Sequence, residues 1–137
     1  MRRSIITLCL LVSASMTFAQ EKYAEKISTE HVDIQYKWKY PMTGGVAGPA
    51  ELLLKLKNKD DDAISISFEI AYTLDLRTVA TFSIDTCMKA KKTIYGKMNG
   101  LYFVAPDISN DVLMSDGFIW DINDLSVIEI DKCPVDK

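Results

Sequence analysis

Apolar and polar residues alternate along most of the chain beyond residue 30. In residues 31–40, Val32, Ile34, Tyr36, Trp38 and Tyr40 alternate with Asp33, Gln35, Lys37 and Lys39. That is the period of a strand with one buried and one wet face. Residues 50–57 repeat the pattern, with Leu52, Leu54 and Leu56 opposed to Lys55 and Lys57, and residues 63–73 give the cleanest case, Ile64, Ile66, Phe68, Ile70 and Tyr72 against Ser65, Ser67, Glu69, Ala71 and Thr73. A further strand is predicted over 77–87, where Ala80, Phe82 and Ile84 share a face. Residues 93–98 and 101–105 flank Asn99-Gly100, which makes either a tight hairpin turn or a bulge in one longer strand. Short strands are expected at 118–122 and 125–131.

Between these elements lie a Pro- and Gly-rich loop (41–49), an acidic turn (58–62), a corner at 74–76 and a basic connection (88–92). The longest loop spans 106–117, with Val112, Leu113 and Met114 expected to turn inward. Seven or eight short strands with turn signals between them, and no convincing helix beyond residue 20, predict an all-β sandwich or barrel. The run Leu52-Leu53-Leu54-Lys55-Leu56-Lys57-Asn58-Lys59, followed by the alternating strand Ile64 to Tyr72, resembles the strand, Asn-turn, strand core of small immunoglobulin-like β-sandwich domains in exported bacterial proteins. The resemblance covers about residues 50–103, with TIYGKMNGLYF (93–103) supplying the next paired strands; it includes neither a Cys–Trp–Cys spacing nor a late Tyr-x-Cys. It implies an antiparallel immunoglobulin-like sandwich and no particular activity, since such sandwiches serve adhesion, assembly and ligand binding alike.

The first residues read as an address. Arg2 and Arg3 precede an apolar run (IITLCLLV), and Thr17-Phe18-Ala19 ends in a small residue suited to cleavage before Gln20. The expected organisation is a signal-peptide helix (1–19), a polar N-terminal arm (20–29) and one sandwich domain (30–137). The apolar run is too short for a transmembrane anchor, so none is expected after cleavage. Cleavage changes the charge and the thiols. The 137-residue chain has 16 Lys+Arg and 19 Asp+Glu, a formal charge of −3, and three cysteines. Loss of Arg2 and Arg3 moves the charge to −5, and loss of Cys9 leaves an even pair, Cys87 and Cys133. In an oxidising compartment the pair is read as a disulfide, the alternative being two buried thiols that never meet. The acidity argues against a nucleic-acid partner, which needs a concentrated basic face.

Candidate chemistry is sparse. His31 is the only histidine, no Gly-x-Ser-x-Gly elbow is present, and neither cysteine has a nucleophile signature. Asn58, Asp60, Asp62 and Glu69 mimic four positions of a calcium loop, but Ala63 stands where the sharp turn needs glycine. No metal or cofactor is therefore expected. Tyr36 and Trp38 are in phase with Val32 and Ile34 and belong to the core, whereas Tyr40 and Trp120 lie near loops and are the candidates for exposed ligand contact. Asp116, Asp121 and Asp124 could join them at one end of the sandwich. Lys89, Lys91 and Lys92, with Lys97 downstream, form a basic cluster. The expected function is a non-catalytic binding or structural module, periplasmic or extracellular, whose partner is an envelope protein or a glycan. A glycan-binding module using the exposed aromatics is the alternative, and a small hydrolase relying on His31 the third.

Overall fold

A computed structural model describes residues 22–43 and 45–135, so the segment expected to be a signal peptide (1–19) lies outside the described residues. The strands are β1 (Ala24–Ser28), β2 (Val32–Lys39), β3 (Met42–Thr43), β4 (Val46–Ala47), β5 (Glu51–Asn58), β6 (Ala63–Leu74), β7 (Arg77–Met88), β8 (Thr93–Tyr95), β9 (Tyr102–Val104) and β10 (Phe118–Ile130). They form two antiparallel sheets. The first has the order β1-β2-β5, with β8 and β9 both paired to the far side of β5; the second has the order β10-β6-β7. A two-stranded hairpin, β3-β4, stands apart. The fold is thus an all-β sandwich. No helix among the described residues is long and apolar enough to cross a membrane.

The period-two pattern sets the packing. Val32, Ile34, Leu52, Leu54 and Leu56 from the first sheet meet Ile64, Ile66, Phe68, Ile70 and Tyr72 from β6 in one continuous apolar core. Burying each such side chain stabilises the fold by roughly 1.5–3 kcal/mol. One edge of the sandwich is closed by aromatic contact between the sheets: Tyr36 meets the Trp120 ring edge-on at 4.9 Å, and Trp38 packs on both Tyr72 and Phe118. The Lys26 ammonium crosses from β1 to donate to the Trp120 carbonyl (2.8 Å) and lies 4.1 Å from the centre of the indole. At the opposite edge Phe82 packs on Phe103 at 5.4 Å.

Four local expectations are corrected. The polar arm is structured from Ala24, because residues 24–28 pair with β2 and place Ile27 against the core. The two C-terminal strands are one, β10, interrupted by a bulge between Asn123 and Ser126, where Asp124 adopts φ 53°. The bulge moves the inner face from Phe118, Trp120 and Ile122 to Leu125 and Val127. The corner at 74–76 is a tight hairpin, Leu74 pairing with Arg77 across Asp75 and Leu76, both at positive φ. In the long loop Val112 and Leu113 do turn inward on a single helical turn, α1 (Asn110–Leu113), capped by the Ser109 hydroxyl, while Met114 is 74% exposed. Of the two possibilities for Asn99-Gly100, the bulge is the one formed. Leu54 donates to the Leu101 carbonyl and accepts from the Gly96 amide, so residues 97–100 loop out of a strand that continues along β5 as β9.

Asn58 is the buried polar residue of this core, at 0% exposure. Its carboxamide nitrogen donates to the carbonyls of Asp62 (2.9 Å), Lys89 (3.1 Å) and Met88 (3.4 Å), and its oxygen accepts from the Asp60 amide (2.9 Å). Cys87 and Cys133 are bonded, with Cα atoms 5.6 Å apart, tying β7 to the segment after β10. Asn58→Ala strips partners from three carbonyls and an amide at once and is expected to destabilise the fold by about 3 kcal/mol; urea denaturation measures this, and a loss under about 1 kcal/mol would refute the role. The Cys87→Ser/Cys133→Ser variant opens a closure spanning 46 positions. In the chain-entropy treatment this costs about 4 kcal/mol, read as a lower urea midpoint that reductant does not lower further.

Candidate functional site

The residues singled out from sequence do not converge. Trp120 is 9% exposed and belongs to the core, because β10 begins at Phe118 and turns Phe118, Trp120 and Ile122 inward together. It offers no free ring to a ligand. Tyr40 is 44% exposed and borders a shallow depression with Lys39, Pro41 and Glu51. Asp116, Asp121 and Asp124 are all exposed but spread out: Asp116 precedes β10, Asp121 sits beside Ala71 within 3.5 Å of the Lys26 ammonium, and Asp124 forms the bulge. Among the described residues no three His, Cys, Asp or Glu side chains gather as a metal would require. His31 is an exposed residue at the start of β2 whose Nδ1 meets the Asp60 carboxylate at 2.8 Å.

A different constellation is present on the outer face of the first sheet. Because Val32, Ile34, Leu52, Leu54 and Leu56 point inward, the intervening residues point out. The register aligns them in rows across the sheet: Asp33, Lys57 and Thr93; Gln35, Lys55 and Tyr95; Lys37, Leu53 and Tyr102; Lys39, Glu51 and Val104. Lys37 and Lys39, like Lys55 and Lys57, are two residues apart on one strand, about 7 Å along it. Lys37 and Lys55 are diagonal neighbours across β2 and β5, again about 7–8 Å apart. Four ammonium groups thus share a small area of one sheet.

Aromatic rings are interleaved with these cations. Tyr23, just before β1, has its ring 4.7 Å from the Lys37 ammonium and 5.6 Å from that of Lys55. Lys97, on the looped-out turn, lies 5.1 Å from the Tyr102 ring. Such contacts stabilise an exposed cation by roughly 0.5–1 kcal/mol each. Tyr95 is 60% exposed. Partial burial, with the nearby Tyr95 phenol, raises the Tyr23 pKa, and the hydrogen bond that Tyr102 donates to Glu51 (2.7 Å) raises that of Tyr102. Both rings are therefore neutral hydroxyl groups at physiological pH.

The acids on this face are mostly engaged elsewhere. Glu51 holds the Tyr102 hydroxyl, and Asp33 accepts from Ser28 (2.6 Å) and Lys59 (3.2 Å) at the β1–β2 end. Glu25 stands beside Gln35 on the edge strand. Lys37, Lys39, Lys55, Lys57 and Lys97 form no ion pair with another described residue. The outer face of the second sheet is the reverse. Its positions are Ser65, Ser67, Glu69, Ala71 and Thr73 on β6, Thr81, Ser83, Asp85 and Cys87 on β7, and Ile119, Asp121, Asn123, Ser126 and Ile128 on β10, with three acids and no lysine or arginine. The sandwich carries opposite charge on its two outer faces although the net charge of the whole chain is only −3.

Neither a protein-family model, a curated protein nor a solved structure matches this chain. The lysines were visible in the sequence as the outward half of each alternating strand. Their juxtaposition and the lid of Tyr23 come from strand order and register.

The Ser28 hydroxyl, and then Lys59, hold the Asp33 carboxyl below its ordinary pKa. A carboxyl whose pKa is depressed on folding contributes stability that is full above its unfolded pKa and is lost as pH falls through the folded one. Asp33→Asn is therefore expected to be less stable than the wild type at pH 7, with the gap shrinking as pH falls below about 4. Urea midpoints across that range check it; a gap independent of pH would show that the carboxylate's charge is not the cause.

Proposed function

We propose that the protein is an exported, non-catalytic binding module of the bacterial envelope, built on an immunoglobulin-like sandwich and engaging its partner through the lysine- and tyrosine-bearing face of the first sheet. The observation that carries this reading is the segregation of charge: four lysines on the outer face of the first sheet, with Lys97 on the adjoining turn, form no ion pair with a described residue, and the outer face of the second sheet carries Glu69, Asp85 and Asp121 with no lysine or arginine. Like charges held a few ångströms apart repel one another, and an anionic surface relieves that repulsion. Beside Glu25, Asp33 and Glu51, the polar groups on this face are cations, phenols and the Gln35 amide, suited to holding a partner by charge and contact. Rigid β-sheets present them in fixed order, which lowers the entropy cost of recognition.

The immunoglobulin-like reading is supported by three passages of the chain between sheets, from β5 to β6, from β7 to β8 and from β9 to β10, as in Greek-key sandwiches. Export is supported by the basic and apolar character of residues 1–19 and by a disulfide, a bond that persists in oxidising compartments.

Co-sedimentation with isolated bacterial envelope fragments tests the reading. The purified disulfide-bonded protein is expected to pellet with the fragments at low salt and to be released at high salt, because exposed charges are screened. Lys37→Glu/Lys55→Glu should lower the bound fraction roughly tenfold or more, whereas Lys89→Glu/Lys92→Glu, on the β7–β8 connection, should leave it unchanged. Failure to pellet, or pelleting insensitive to both salt and the Lys37/Lys55 change, would overturn it.

A further inference from the structure

We propose that the outer face of the first sheet binds an anionic polysaccharide, a chain of pyranose rings carrying carboxylate groups. The inference rests on the envelope-binding reading and names the ligand class for the same face.

Three features select this class. The cations form a strip, two along β2 (Lys37, Lys39) and two along β5 (Lys55, Lys57), with Lys97 beyond Tyr102. A strip of separated ammonium groups matches an extended chain with regularly spaced anions better than it matches one compact anion. Second, Tyr95 projects from the same row as Lys55 and is 60% exposed. Its ring can receive the apolar C–H face of a sugar, while the Tyr23 hydroxyl, its pKa raised by burial, remains a protonated donor at physiological pH. Third, the alternatives lack their own requirements here. A membrane surface or a protein interface calls for apolar side chains standing free of the face, to insert or to fill a pocket. Within the rows of β2, β5 and β9 the outward aliphatic residues are covered instead: Leu53 is buried beneath its neighbours and Val104 is half-buried, and the fully exposed Met98 stands outside those rows on the 97–100 turn. The face that would hold a glycan is therefore the first sheet, not the region around Trp120, whose indole is buried.

Affinity electrophoresis through gels containing polygalacturonate tests the proposal, with neutral dextran and inorganic polyphosphate as the other arms. The disulfide-bonded protein is expected to be retarded by polygalacturonate, not by dextran, and less by polyphosphate. Lys37→Ala/Lys55→Ala should weaken retardation at least about tenfold, and Tyr95→Ala about fivefold with Tyr95→Phe retaining most of it. All three positions of change lie on the outer face, and a retained cooperative urea transition shows that the fold is kept. No retardation by polygalacturonate overturns the proposal. So does equal retardation by polyphosphate with no effect of Tyr95→Ala, which would reduce the face to a general anion exchanger. Envelope co-sedimentation that persists and is not competed by polygalacturonate sinks the glycan inference alone; loss of all envelope binding sinks the binding-module reading with it.

Discussion

The buried carboxamide of Asn58 holds three backbone segments together at the place where the chain passes from the first sheet to the second. It joins the 58–62 turn to the end of β7 and to the start of the connection into β8. Its own amide donates to the Lys92 carbonyl, and it stands opposite Val32 in β2. One residue thereby fixes the end of β5 against both of its neighbours. A strand slipped by one residue would exchange its faces, burying Lys55 and Lys57 and exposing Leu54 and Leu56. The apolar core and the cationic face are two results of the same register, and a slip that changes one changes the other.

The two open edges of the sandwich are closed by different means. Beside β1 and β10 the closure is partly polar. Lys26 satisfies the Trp120 carbonyl, covers its ring and reaches Asp121, so a cation bridges the sheets where a further strand could otherwise add. Beside β7 and β9 the closure is apolar, through Phe82 and Phe103, and a small cleft lined by Val79, Val104 and Ile108 remains at the surface. The disulfide adds to this from the outside. Cys87 lies on the outer face of β7 beside Ser65, so its bond to Cys133 spans the second sheet without occupying core volume.

Strands with an apolar face turned to the core were legible in the sequence: β2, β5, β6 and β7 alternate because one side of each packs against the opposite sheet. β1 escaped notice because an edge strand with a bulge needs few core residues, and Ile27 is the one that packs inward. In β10 the apolar phase passes from Phe118, Trp120 and Ile122 to Leu125 and Val127, and a phase change at an Asn-Asp pair is the mark of a bulge as much as of a turn. Reading it as a turn placed Trp120 in a short strand near a loop and made its ring seem available. The lysines could be assigned to outward faces from spacing alone. That β2 and β5 are neighbours, and that Tyr23 reaches back over both, depends on contacts between distant parts of the chain.

The cationic face also bears on stability. Crowding Lys37, Lys39, Lys55 and Lys57 on two adjacent strands opposes folding, since an unfolded chain keeps these charges apart. Part of the repulsion is offset by the rings of Tyr23 and Tyr102 beside Lys37, Lys55 and Lys97. Carboxylates could have been placed in these rows to neutralise it more completely, as Asp33 does with Lys59 at the strand end. On this face Glu51 is turned to a tyrosine hydroxyl instead. Neutral rings soften the lysines' mutual repulsion without occupying them, so the ammonium groups stay available to an external anion. An anion bound there stabilises the folded chain in proportion to its affinity, because the unfolded chain has no such array to offer. Residual repulsion on the outer face is in this sense coupled to binding, and the rigid core beneath is what allows the fold to tolerate it.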